Sequence, residues 1–153
     1  MKRILLAFAA TLVVLAMPLS AQASLGGNVA SVHADQAHFQ STMRSTAASA
    51  YTVQELKAAS GVVVREYVSS AGKVFAVSWQ GPVAPDLRQL LGSYFQTFQQ
   101  EVHTQKASRL RRAPLIIRQP GFVLEMGGHM RWIVGRAYIP SMVPTNVPME
   151  EIR

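Results

Sequence analysis

The spacing of apolar and polar positions changes along the chain, and each change marks an element. Residues 4–15 are almost wholly apolar and follow Lys2 and Arg3. Pro18 then breaks the run, and Ala21-Gln22-Ala23 supplies a small-x-small pattern. This reads as a secretory signal peptide cleaved after Ala23. The run is shorter than the ~20 apolar residues a membrane span needs, so no stable anchor is expected. Residues 24–28 are small and Gly-containing, and are expected to be mobile or docked as an extended arm. Residues 31–45 carry only scattered apolar positions (Val32, Ala34, Ala37, Phe39, Met43) and predict a short helix holding His33, Asp35 and His38.

From Tyr51 the pattern turns to strands. Tyr51-Thr52-Val53-Gln54-Glu55-Leu56 is rich in β-formers, while Glu55-Leu56-Lys57-Ala58-Ala59 also suits a helix start. Val62-Val63-Val64-Arg65-Glu66-Tyr67-Val68 is strongly β-branched, and Ser69-Ser70-Ala71-Gly72 predicts a turn. Beyond it the residues alternate, placing Phe75, Val77 and Trp79 on one face and Ala76 and Ser78 on the other, until Gly81-Pro82. Asp86 is placed to cap a helix, with Gln89 reaching back as in a capping box. Leu87, Leu90, Leu91, Tyr94, Phe95, Phe98 and Val102 then form one helical stripe. Leu115-Ile116-Ile117 predicts a short strand. Phe122-Val123-Leu124-Glu125-Met126 and Met130-Arg131-Trp132-Ile133-Val134 predict a hairpin turning at Gly127-Gly128-His129, with Met130, Trp132 and Val134 meeting the face of Phe122, Leu124 and Met126. The expected fold is α+β: an antiparallel sheet of about five to six strands packed on one long amphipathic helix. The expected layout is a signal peptide over residues 1–23, an arm with a short helix over 24–48, a single α+β domain over 49–139, and a Pro-rich extended tail over 140–153.

Composition narrows the function. The 153-residue chain has no cysteine, which excludes disulfides, a thiol nucleophile and Cys-ligated zinc. Losing residues 1–23 leaves about 130 residues, enough for one domain with its own core. The formal charge is +7, and removing Lys2 and Arg3 leaves about +5. That balance suits anionic partners. Nucleic acid is not among them, since an exported protein rarely meets it and no aromatic residue interrupts the basic stretch from Lys106 to Arg118.

Ser24-Leu25-Gly26-Gly27, Arg65-Glu66-Tyr67-Val68, the segment from Gly72 through Trp79 to Pro82, and Pro85-Asp86-Leu87-Arg88-Gln89-Leu90-Leu91-Gly92-Ser93-Tyr94-Phe95 carry a further signal. Together they resemble a family of small exported proteins of Gram-negative bacteria known as a domain of unknown function. The resemblance covers most of the chain between the leader and the helix. It implies export and a single domain, and brings no activity, cofactor or catalytic residue with it.

Candidate chemistry is sparse. His33 and His38 are five apart and do not share a helix face, so with Asp35 they read as a polar surface segment, not a metal site. Met126, His129 and Met130 have the soft ligands copper(I) takes, but the methionines also fit hairpin core positions. Glu66 and Glu125 are the one pair that could act as an acid/base couple across a sheet. No serine lies in a nucleophile elbow. Lys106, Arg109, Arg111 and Arg112 crowd more cations behind the helix than its dipole requires, and form the candidate partner-binding patch. The expected function is therefore a non-enzymatic periplasmic or secreted accessory protein, without cofactor or metal, that contacts an envelope protein or anionic envelope polymer. The alternative is a small periplasmic hydrolase of envelope polymers.

Overall fold

The computed structural model describes residues 24–106 and 113–153. The expected leader, and Arg109, Arg111 and Arg112 of the basic patch, lie outside the described residues. Helix α1 (Val29–His38) opens the chain, capped by the Asn28 side chain on the Ala30 amide. Four strands follow as a meander: β1 (Ser41–Ala47), β2 (Tyr51–Ala58), β3 (Val63–Ser69) and β4 (Val74–Gly81). Helices α2 (Leu87–Leu91) and α3 (Phe95–Lys106) then lead to β5 (Leu115–Gln119), β6 (Phe122–His129) and β7 (Trp132–Tyr138). All neighbouring strands are antiparallel, in the order β1-β2-β3-β4-β7-β6-β5. The helical connection thus spans one face of the sheet from β4 to the far edge, and the second meander returns to pair with β4.

Seven strands exceed the expected five to six because β1 has no apolar period. Only Met43 of its residues packs against the core, and the rest are polar or small, which suits an exposed edge strand. Gln40, at φ 46°, makes the sharp exit from α1 that starts β1. The expected single long helix is likewise interrupted. Gly92 (φ 51°, ψ −119°) ends α2, and a 3-10 turn over Gly92–Tyr94 leads into α3. The stripe survives the break: Leu90 and Leu91 are fully buried, and Tyr94, Phe95, Phe98 and Val102 pack on the same core.

A β-bulge corrects the predicted faces of β4. Ala76 pairs with Tyr67 and Val74 with Val68, leaving Phe75 without a partner in the ladder. Phe75 therefore joins Tyr67 and Ala76 on the face away from the helices, while Val77 and Trp79 stay in the helix-side core. The hairpin turn lies two residues later than expected, at Met130-Arg131, with His129 paired to Trp132. Met126 faces Gly135 across the ladder, which puts Trp132 and Val134 on the opposite, exposed side.

Residues 140–153, expected as an extended tail, form 3-10 turns at Pro140–Met142 and Met149–Glu151 and strap the second face of the sheet. Val147 and Ile152 are buried there with Tyr67, Phe75 and Ala76. Tyr67 Oη accepts the Arg153 amide at 2.9 Å, and Tyr51 Oη donates to Glu151 at 2.5 Å, which pushes the Tyr51 pKa up to about 12. Ile152 is wholly enclosed, so Ile152→Ala is expected to cost about 2 kcal/mol in urea unfolding. An unchanged midpoint would mean that the strap does not hold this face.

Candidate functional site

Polar chemistry concentrates on the strapped face and in one buried cluster beneath the helices. Across the strapped face the register aligns Arg44, Glu55, Arg65, Ser78, Arg136 and Glu125 in a single row over six strands. Strand alternation explains the row, since each of these residues has its apolar neighbours turned to the helix side. Arg65 Nε meets Glu55 at 2.8 Å, and Arg136 Nη2 meets Glu125 at 2.7 Å, with Arg118 3.3 Å from the same carboxylate. The strap crosses the row between Arg65 and Arg136. Arg65 donates to the Arg153 main-chain oxygen at 3.1 Å, and Arg136 to the Met149 carbonyl at 2.6 Å.

A groove opens on each side of the strap. One, of about 520 Å³, is lined by Arg44, Tyr51, Glu55, Arg65 and Glu151. The other, of about 510 Å³, is lined by Ile116, Glu125, Val134, Arg136 and Ile152. Ile116 and Val134 add exposed apolar surface to the second. The first groove sets the side chains of Arg44, Arg65 and Arg153 against Glu55 and Glu151, and the second sets Arg136 and Arg153 against Glu125, so the side chains of each give a positive excess.

The buried cluster joins three elements and the chain's first described residue. Glu66 (β3), Asp35 (α1) and Ser24 are each fully enclosed. The Ser24 hydroxyl donates to Glu66 Oε2, and Gln89 Nε2 (α2) donates to Asp35 Oδ1 at 2.6 Å. Gln89 therefore serves Asp35 and not the expected capping box, while Asp86 accepts the Arg88 and Gln89 amides. Asp35 Oδ2 and Glu66 Oε1 accept no bond from an amide, hydroxyl or cationic side chain among the described residues, and the two carboxyl groups hydrogen-bond to each other when one holds a proton. Burial, and then the neighbouring Asp35 carboxylate, push the Glu66 pKa up to about 8; burial raises Asp35 as well. Two carboxyl groups so placed retain a proton at neutral pH, because a second buried negative charge is too costly.

The structure separates most of the sequence candidates. Lys106 ends α3, and its patch partners lie outside the described residues. His33 and His38 are exposed while Asp35 turns inward, so the three do not converge; His38 Nε2 lies 3.2 Å from Asp86. Met130 stands at the exposed hairpin tip while the Met126 side chain packs against the core, although both line one open groove with His129. Glu66 and Glu125 occupy opposite faces of the sheet and form no acid/base couple. Sequence reasoning missed the Ser24–Asp35–Glu66–Gln89 cluster, although one signal was present. Glu66 shares the alternation of Val62, Val64 and Val68, the inward positions of its strand.

Over residues 21–152 the chain matches the family described as a protein of unknown function (DUF2844), and it belongs to that family. No curated protein and no solved structure matches it.

Proposed function

We propose that this member of the DUF2844 family is an exported, non-enzymatic accessory protein that binds an anionic envelope polymer along the strapped face of its sheet. The observation that carries the reading is the arginine-rich row bordering the two grooves. Arg44 lines the first groove and Arg118 stands beside Glu125 of the second, while Tyr51, Ile116 and Val134 in the lining offer flat or apolar contact. Such surfaces attract polyanions over several ångströms, and salt weakens them. The chain's charge of +7 supports the same partner class, and the leader pattern of residues 1–23 supports export. Lys106, Arg109, Arg111 and Arg112, four cations within seven residues of sequence, are a second candidate contact for the same polymer.

The test is cross-linked recovery of envelope material by tagged protein in intact cells. Arg44→Glu/Arg118→Glu is expected to lower recovery of acidic polymer about tenfold. Its melting temperature should stay within about 2 °C of wild type, because both side chains are exposed. Arg111→Glu/Arg112→Glu reports on the second contact. Undiminished polymer recovery by both variants would retire the reading, and capture of an acidic protein instead would replace the polymer as partner.

A further inference from the structure

The buried cluster combines two features: a pair of enclosed carboxyl groups that no lysine or arginine hydrogen-bonds among the described residues, and a serine at the predicted cleavage point hydrogen-bonded to the pair. We propose that removal of residues 1–23 creates the missing cation, and that the freed α-ammonium group of Ser24 seats between Asp35 and Glu66. The proposal rests on the export reading. Hydrolysis of the Ala23–Ser24 bond by an envelope peptidase takes up one water. The oxygen completes the Ala23 carboxylate, and the Ser24 nitrogen gains its protons to become a primary ammonium.

The geometry favours this seat. Ser24 Oγ already donates to Glu66 Oε2, and the α-nitrogen is only three bonds from that hydroxyl oxygen. The arm is held in place by its own backbone bonds: the Leu25 amide to the Leu90 carbonyl at 3.0 Å, Gly26 to Val74 at 2.9 Å, and Val74 back to Gly27 at 3.1 Å. Gly26, at φ 83°, makes the bend that brings Ser24 inward. Residues 25–27 thus tie the arm beside Ser24 to α2 and β4 through their own main-chain bonds. As a peptide nitrogen it offers one neutral N–H. As an ammonium it offers three donors and a positive charge to a site whose two carboxyl groups have only Ser24, Gln89 and each other as hydrogen-bond partners among the described residues. Around the pair stand Ser24 from the arm, Asp35 and His38 from α1, Glu66 from β3 and Gln89 from α2. No lysine or arginine hydrogen-bonds to either carboxyl group among the described residues. The pair avoids a second buried negative charge by keeping a proton, and a cation delivered by processing offsets that charge instead.

The experiment uses protein exported through its own leader, with its start read by N-terminal sequencing. Folded protein is then treated with a limiting amine-reactive ester. Labelling of the Ser24 amine is expected to be on the order of 100-fold slower than in the same protein unfolded, while exposed Lys57 and Lys73 react freely. A chain retaining Ala21-Gln22-Ala23 is expected to melt on the order of 10 °C lower than one starting at Ser24. Asp35→Asn/Glu66→Gln should remove that difference. A start at Ser24 with an amine as reactive as the lysines, or equal melting of the two chains, would overturn the seat and leave export intact. A start elsewhere would overturn both the cleavage premise and the seat. The labelling experiment decides the matter on wild-type protein even if the double variant fails to fold.

Discussion

In the chain in which Ala23 still precedes Ser24, stability falls as pH rises from about 5 to 8, and Glu66→Gln abolishes most of the fall. The folded pKa of Glu66, about 8, lies above the ordinary carboxylate value of 4.5, chiefly because the side chain is enclosed and then because Asp35 is beside it. Between those two values the folded protein binds more protons than the unfolded chain. Stability from the protonated form is therefore complete below about pH 4.5 and is lost as pH rises toward 8. Asp35 is shifted in the same direction and adds to the same sign. One proton gives a slope of about 1.4 kcal/mol per pH unit, so the loss is on the order of 4 kcal/mol. Glutamine at position 66 reproduces the protonated acid: its carbonyl accepts the Ser24 hydroxyl, and its amide donates toward Asp35. Urea unfolding from pH 5 to 8 is expected to show the variant level with wild type at pH 5 and well above it at pH 8. A wild-type profile that is flat over this range would show that Glu66 ionises like an exposed acid. The chain starting at Ser24 should itself give a flatter profile, since its ammonium group compensates the charge that burial penalises.

Gly135→Ala is the second change expected to have a large effect. Gly135 lies opposite Trp79 in the β4–β7 ladder, and the indole lies across it. A Cβ at Gly135 would fall 2.3 Å from Trp79 Cζ2 and 2.4 Å from Cε2, far inside contact distance. The indole cannot yield cheaply, because Trp79 is only 2% exposed within the helix-side core. Displacing it is expected to cost about 3 kcal/mol or more, at the upper end for overpacked cores. Emission supplies an independent readout: the chain has two tryptophans, and Trp132 is exposed. In a Trp132→Phe background, Gly135→Ala should shift the Trp79 emission to the red. A variant within about 1 kcal/mol of its parent, with unshifted emission, would show that the contact is slack.

Much of the architecture is legible in short windows of sequence. The β-branched run of β3, the Asp86 cap and the stripe from Leu87 to Val102 each appear in the structure, as does the pairing of β6 with β7. The departures have identifiable causes. β1 escapes notice because an exposed edge strand needs no alternation, and the Phe75 bulge moves one residue to the other face without changing composition. The strap was hidden by its prolines, which forbid long helices but permit 3-10 turns carrying a buried Val147 and Ile152.

What the sequence by itself determined is the class of fold, the family and the shared inward face of Phe122, Leu124 and Met126, because these depend on residues two to four positions apart. What only the tertiary structure decided is which polar residues meet. Ser24, Asp35, Glu66 and Gln89 come from four separate elements, and the arginine row draws its members from strands far apart in the chain. A charge at a core position announces only that it needs a partner. The sheet order and helix crossing supply that partner, since the cost of a buried charge depends on the atoms around it and not on its neighbours in sequence.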